Sequence, residues 1–110
     1  MIPHIFLNMR VFYFRKMKLS YCVYVLISLK DKRFYIGYSR NLDQRLLDHG
    51  YGKVASTKSK RLLELIYYEY HKNKYDALRR ERYFKTSAGK KGLKLMLREK
   101  VKKLNKAFDN

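Results

Sequence analysis

The sequence predicts an α+β fold, a small three-stranded sheet flanked by helices in the order β-β-α-β-α-α. Three observations predict it. Residues 21–29 are a near-continuous run of apolar and β-favouring side chains, and after four polar residues a second short run follows at 34–38. Leu42, Leu46 and Leu47 then bring in helical spacing. Leu93, Leu97 and Val101 repeat that spacing among the lysines and arginines of the C-terminal third. A chain of 110 residues suits one small domain.

Each element has its own reason. The run at 21–29 lacks polar alternation, as expected of a strand buried on both faces. Lys30-Asp31-Lys32-Arg33 is a polar turn that makes a hairpin with 34–38, although without the Asn-Gly or Asp-Gly pair that favours the tightest turns. If the turn has four residues, Leu29 opposes Phe34, and Tyr24, Leu26 and Ser28 share a face with Tyr35 and Gly37. Asn41 can cap a helix over 42–49 that Gly50 ends. Arg45 and His49, four residues apart, stack beside its leucine stripe. Residues 51–60, with their Gly, Ser and Thr, read as a surface loop. A third strand at 63–70 follows, then a helix over about 74–86 closing near Gly89, and a last basic helix over about 90–103.

The domain is expected to span residues 17–104, with 105–110 as a C-terminal tail. Residues 1–16 are expected to lie outside the fold, since Met17-Lys18-Leu19-Ser20 leads straight into the first strand. That stretch is interrupted by Arg10 and too short to span a bilayer. It also lacks the charged start and small-residue cleavage site of a secretory signal.

Lys and Arg number 27 against 9 Asp and Glu, a formal charge of +18. Self-repulsion on that scale opposes a compact state, which points to a polyanionic partner. The basic residues are spread over several elements rather than along one amphipathic helix, which favours nucleic acid over a membrane surface. One cysteine, Cys22, allows neither an intrachain disulfide nor a cysteine zinc cluster, and matches a reducing, cytoplasmic setting. His49 has no second imidazole near it in sequence and His71 reads as a strand-end residue, so zinc is not expected.

Glu81 is the sharpest anomaly. Ala77 and Leu78 stand one turn before it and Phe84 one turn after, so it falls within an apolar stripe. A carboxylate there is costly unless it is satisfied. It either pairs with a cation such as Arg45 or Arg82, or binds a hard cation such as Mg²⁺. The other acids form no second cluster with it, which favours one metal over two. Any one Tyr among eleven is by default a strand aromatic. Two on one face, Tyr24 and Tyr35, beside a Gly37 that lets a phosphate backbone approach, shift that reading toward function.

Cys22-Val23-Tyr24, then Tyr35-Ile36-Gly37, then Asn41-Leu42-x-x-Arg45-Leu46-x-x-His49, then Leu78-x-x-Glu81, resemble the GIY-YIG nuclease superfamily. The likeness covers roughly residues 20–100 and is greatest to small stand-alone bacterial members, similar to the N-terminal catalytic domain of the UvrC repair nuclease. It implies an endonuclease that hydrolyses a DNA phosphodiester with one Mg²⁺ or Mn²⁺, in repair or recombination. It further implies that Tyr35 orients or activates the attacking water and Tyr24 supports the site. Arg45 would stabilise phosphate charge, His49 assist proton handling and Glu81 bind the metal. Gly37, Lys85, Lys90 and Lys91 are expected to hold the substrate backbone. Cys22 stands where the family has Gly, Tyr38 where UvrC-like members often carry Lys, and the Asn that follows the Glu in UvrC is missing. With no second domain, selective cutting would need a protein partner or a preferred DNA shape. A non-catalytic nucleic-acid-binding module is the alternative, and a small protein bound to structured RNA a third reading. Mere binding needs no buried carboxylate, so Tyr35, Arg45 and Glu81 together favour the nuclease.

Overall fold

The computed structural model describes residues 20–54 and 62–109. The extension read at residues 1–16 and most of the loop read at 51–60 lie outside the described residues. Three strands, β1 (Tyr21–Ser28), β2 (Phe34–Ser39) and β3 (Leu63–His71), form one antiparallel sheet in the order β2-β1-β3. Among the described residues four helices accompany the sheet: α1 (Leu42–Gly50), α2 (Lys74–Lys85), α3 (Ser87–Met96) and α4 (Arg98–Asp109). The architecture is the α+β one expected from the sequence, with one helix more.

β1 is central, and Cys22 to Ser28 are all buried. One face packs Cys22, Tyr24 and Leu26 against Leu42 and Leu46 of α1. The other packs Val23, Val25 and Ile27 against Ala77, Phe84, Leu93 and Leu97. A bulge opposite Val25 and Leu26 allows the consecutive Ile66 and Tyr67 of β3 to pack on this second side. Asn41 caps α1 as its sequence promised, its side chain accepting from the Gln44 N–H.

The structure corrects three readings. Ile27, not Leu29, opposes Phe34, and Tyr24 opposes Gly37. The turn is thus wider than four residues, and the register moves by two. An even shift keeps every side chain on its face, so Tyr24 and Leu26 still share theirs with Tyr35 and Gly37. Second, the basic C-terminal helix is two helices. The chain breaks at Leu97, whose backbone leaves the helical region while its N–H still reaches Leu93 O. The break lays Leu93, Leu97, Val101 and Leu104 on the same small core. Third, Gly89 terminates nothing. Thr86 ends α2 and caps α3, donating from its hydroxyl to Tyr83 O and accepting from the Gly89 N–H at 3.0 Å. Gly89 lies buried inside α3.

Gly89 is where α3 meets the end of α2. A Cβ there would fall on the Tyr83 carbonyl and within 2.8 Å of Phe84 Cα. Gly92, in the same helix, would place a Cβ in open space. On helix propensity alone each Gly→Ala change should stabilise by about 0.5–1 kcal/mol, whereas forced overpacking costs about 1–3 kcal/mol. Urea unfolding should therefore show Gly92→Ala more stable than wild type and Gly89→Ala less stable. A stabilised Gly89→Ala would contradict the close α2–α3 approach.

Candidate active site

Tyr24 lies in the middle of β1 with Gly37 directly opposite on β2. An alanine Cβ at position 37 would collide with the Tyr24 phenol ring, so the ring occupies the space that any side chain would need. This is a close approach that only glycine permits. The ring thereby reaches the end of α1, where its hydroxyl shares a 2.9 Å hydrogen bond with Nε2 of His49. The two rings meet edge to face, with centroids 5.6 Å apart. His49 is 5% exposed, and burial, reinforced by the neighbouring Arg45 charge, lowers its pKa. Burial likewise pushes the Tyr24 phenol up to about 12. At neutral pH both partners are uncharged, and their shared bond is set by the imidazole tautomer.

Tyr35, also on β2, sits on the same face as Tyr24 and packs beside Leu42 and Leu46. Its hydroxyl donates to Oδ2 of Asp31 at 3.0 Å. Burial, followed by this hydrogen bond, raises its pKa.

Glu81 approaches from the opposite side. Ala77 and Phe84 of its helix are buried, but the Glu81 side chain keeps 18% of its surface, at the rim of the apolar stripe rather than inside it. Its ion-pair partner is neither Arg45 nor Arg82 but Lys85, at 3.4 Å on the next turn. Arg45 and Glu81 nevertheless converge, since both act electrostatically on the Tyr24 phenol.

These side chains line one cleft of about 770 Å³. Tyr24, Tyr35, Gly37, Arg45 and His49 come from one side of the sheet and Glu81 from the other, joined around the β2 edge. Lys85, Lys90 and Lys94 form its basic wall. Lys91, grouped with them in the sequence reading, does not line it and Lys94 does. Lys32, Arg33 and Tyr38 also face the cleft. Only the turn's charge and the alternation of β2 could have marked them in the sequence. Among the described residues, no helix is long and apolar enough to cross a membrane.

A model of the GIY-YIG catalytic domain matches residues 20–94. The chain belongs to the GIY-YIG family. It is similar to a UPF0213 protein of Staphylococcus saprophyticus, 36% identical over 72 residues that cover 64% of this chain and 88% of that one. A UPF0213 protein of Clostridium perfringens is 33% identical over 84 residues, 76% of this chain and 89% of the relative. The UPF0213 protein YazA of Bacillus subtilis is 38% identical over 69 residues, 62% and 70% of the two chains. No solved structure gives a significant match. Membership implies a nuclease-type function with DNA as substrate, and GIY-YIG nucleases generally use a divalent metal ion.

The cleft fits such an ion. Glu81 is the one carboxylate among the described residues that line it. The Tyr38 hydroxyl, within electrostatic reach of Glu81, is buried with no hydrogen-bond partner among the described residues. One carboxylate and an orphaned phenol are hard oxygen donors. They suit a cation that keeps waters and takes its other ligands from a phosphate. Among the described residues no three His, Cys, Asp or Glu side chains gather into a protein-only cage. Lys85 would yield readily, because an exposed pair four apart on a helix contributes only about 0.3–0.5 kcal/mol.

The lowered pKa of His49 has a consequence for stability. The unfolded chain takes up the imidazole proton near pH 6.5, whereas the folded chain resists it to lower pH. His49 thus contributes stability that is present above pH 6.5 and lost as pH falls below it. Melting temperatures between pH 7 and pH 5 should fall more steeply for wild type than for His49→Gln. Parallel curves would contradict a buried, neutral His49.

Proposed function

We propose that this protein is a DNA endonuclease that hydrolyses a phosphodiester bond with the help of one Mg²⁺ or Mn²⁺ ion. The observation that carries this reading is convergence. Tyr24, Tyr35, Arg45, His49 and Glu81 stand far apart in sequence yet line one cleft, beside the glycine that opens it and under a wall of lysines.

Each group has a role suited to its surroundings. Lys85, Lys90 and Lys94 hold the phosphate backbone by charge, without reading bases. Arg45 faces the scissile phosphate and offsets the charge that builds on its oxygens, an effect typically worth about 10²–10³ in rate. Tyr35 orients the attacking water. His49, neutral and bonded to the Tyr24 hydroxyl, can accept a proton, and Tyr24 fixes its ring. Glu81, with Tyr38 beside it, would hold the ion, which when bound polarises the phosphate as a Lewis acid. Choice of DNA structure is left to DNA shape or to a protein partner, and the setting is cytoplasmic.

Glu81→Gln tests this directly. Only a weak, half-exposed ion pair is lost, so its unfolding free energy should match wild type within roughly 0.5 kcal/mol. Wild type should cut branched, flapped, nicked or linear DNA with Mg²⁺ or Mn²⁺ and fail in EDTA. Glu81→Gln should bind the same DNA and cut at least about 100-fold more slowly. A variant that cleaves at the wild-type rate would remove Glu81 from the site. A wild type that binds all four DNAs and cuts none would make the chain a nucleic-acid-binding module.

A further inference from the structure

We propose that Asp31, in the turn between β1 and β2, is the positioning residue for Tyr35. Its Oδ2 takes the one phenolic proton, so the phenol oxygen can only accept from a water in the cleft. This rests on the nuclease reading and deepens it.

A tyrosine hydroxyl has a single proton and lone pairs to spare. With that proton committed to Oδ2 of Asp31 at 3.0 Å, Tyr35 offers the cleft acceptors and no donor. A water bound there must turn a hydrogen toward Tyr35, which leaves a lone pair free to face a phosphate. The same phenol without Asp31 could donate to the water and turn that lone pair away.

The turn is built to hold the carboxylate still. Oδ1 of Asp31 accepts the Arg33 N–H at 2.9 Å, so the two carboxylate oxygens have separate tasks. Ser28, fully buried, accepts from the N–H groups of Lys30 and Asp31 through its hydroxyl. Its carbonyl accepts from Lys32 at 2.7 Å. Lys32 adopts a left-handed φ of 63°, a conformation that a non-glycine residue keeps only when its surroundings impose it. Asp31 and Arg33 are the charged groups that act on the phenol. Asp31 and burial raise its pKa and Arg33 opposes them, so the proton stays on Tyr35 at neutral pH.

Asp31→Asn is the discriminating change. The amide oxygen can keep the Arg33 N–H bond, but the amide nitrogen is a donor and would drive the phenolic proton into the cleft. Two readouts apply, one independent of activity. With tyrosine labelled at ¹³Cζ, the Tyr35 ionisation midpoint should fall in Asp31→Asn, because two of the influences raising it come from Asp31. On a flapped duplex with Mg²⁺, kcat should fall about 10–100-fold, the usual cost of losing an orienting partner, with KM unchanged. An unmoved midpoint would overturn the proposal whatever the cleavage. A lowered midpoint with wild-type kcat would overturn the positioning role. A wild type that cuts nothing would overturn the nuclease reading beneath it, even with a lowered midpoint. Should Asp31→Asn fail to fold, Asp31→Ser preserves a turn-forming oxygen without reaching Tyr35. It should show the same two losses, and no further loss of rate in a Tyr35→Phe background.

Discussion

The Tyr24 ring rests on the α-carbon of Gly37, and the cleft depends on that contact. Cross-strand pairing puts the two residues opposite each other, and the missing Cβ lets the phenol cross β2 instead of standing off it. From there it reaches His49 across the α1 face. A sheet with both faces covered would ordinarily bury such a ring as plain core. Here the same packing aims a phenol and an imidazole, both uncharged at neutral pH, at one end of the cleft.

The cleft lies at β2 because β2 is an edge strand. α1 covers one face of the sheet and α2 to α4 the other, so only at an edge can groups from both sides meet. Glu81 comes around that edge and lines the cleft together with Tyr24 and Tyr38. The lysines of α2 and α3 come with it, and they account for part of the chain's charge. A single carboxylate among so many cations makes chemical sense as an ion ligand. For stability alone it contributes little, since its Lys85 partner is half exposed.

Much of this was legible in the sequence. The unbroken apolar run of β1, the Asn41 cap and the leucine spacing of α1 are local signals, and those elements formed where their signals lay. The face shared by Tyr24, Tyr35 and Gly37 survived a wrong register, because strand periodicity is two and the error was two. Other features rest on long-range geometry. Nothing at Leu97 marks a helix break, since there is neither Gly nor Pro, and the need to cover a small core imposes it. Gly89 reads as a terminator until the α2 carbonyl that excludes its Cβ is known. Helical spacing placed Glu81 in the apolar stripe but could not say that the stripe ends at a cleft, or that Lys85 would be its partner. Asp31 and Tyr35 are four residues apart around a turn, a contact that only the true width of that turn reveals.

The most direct measurement is the NMR titration of the His49 imidazole in Gly37→Ala. In wild type its midpoint should lie below 6.5, because Tyr24 and the end of α1 close it off from water. An added methyl at position 37 must displace the Tyr24 ring, so in a folded variant the His49 midpoint should rise toward 6.5. A folded Gly37→Ala protein with the wild-type midpoint would show that the Tyr24–His49 pair does not depend on that contact, and would contradict the account at its base.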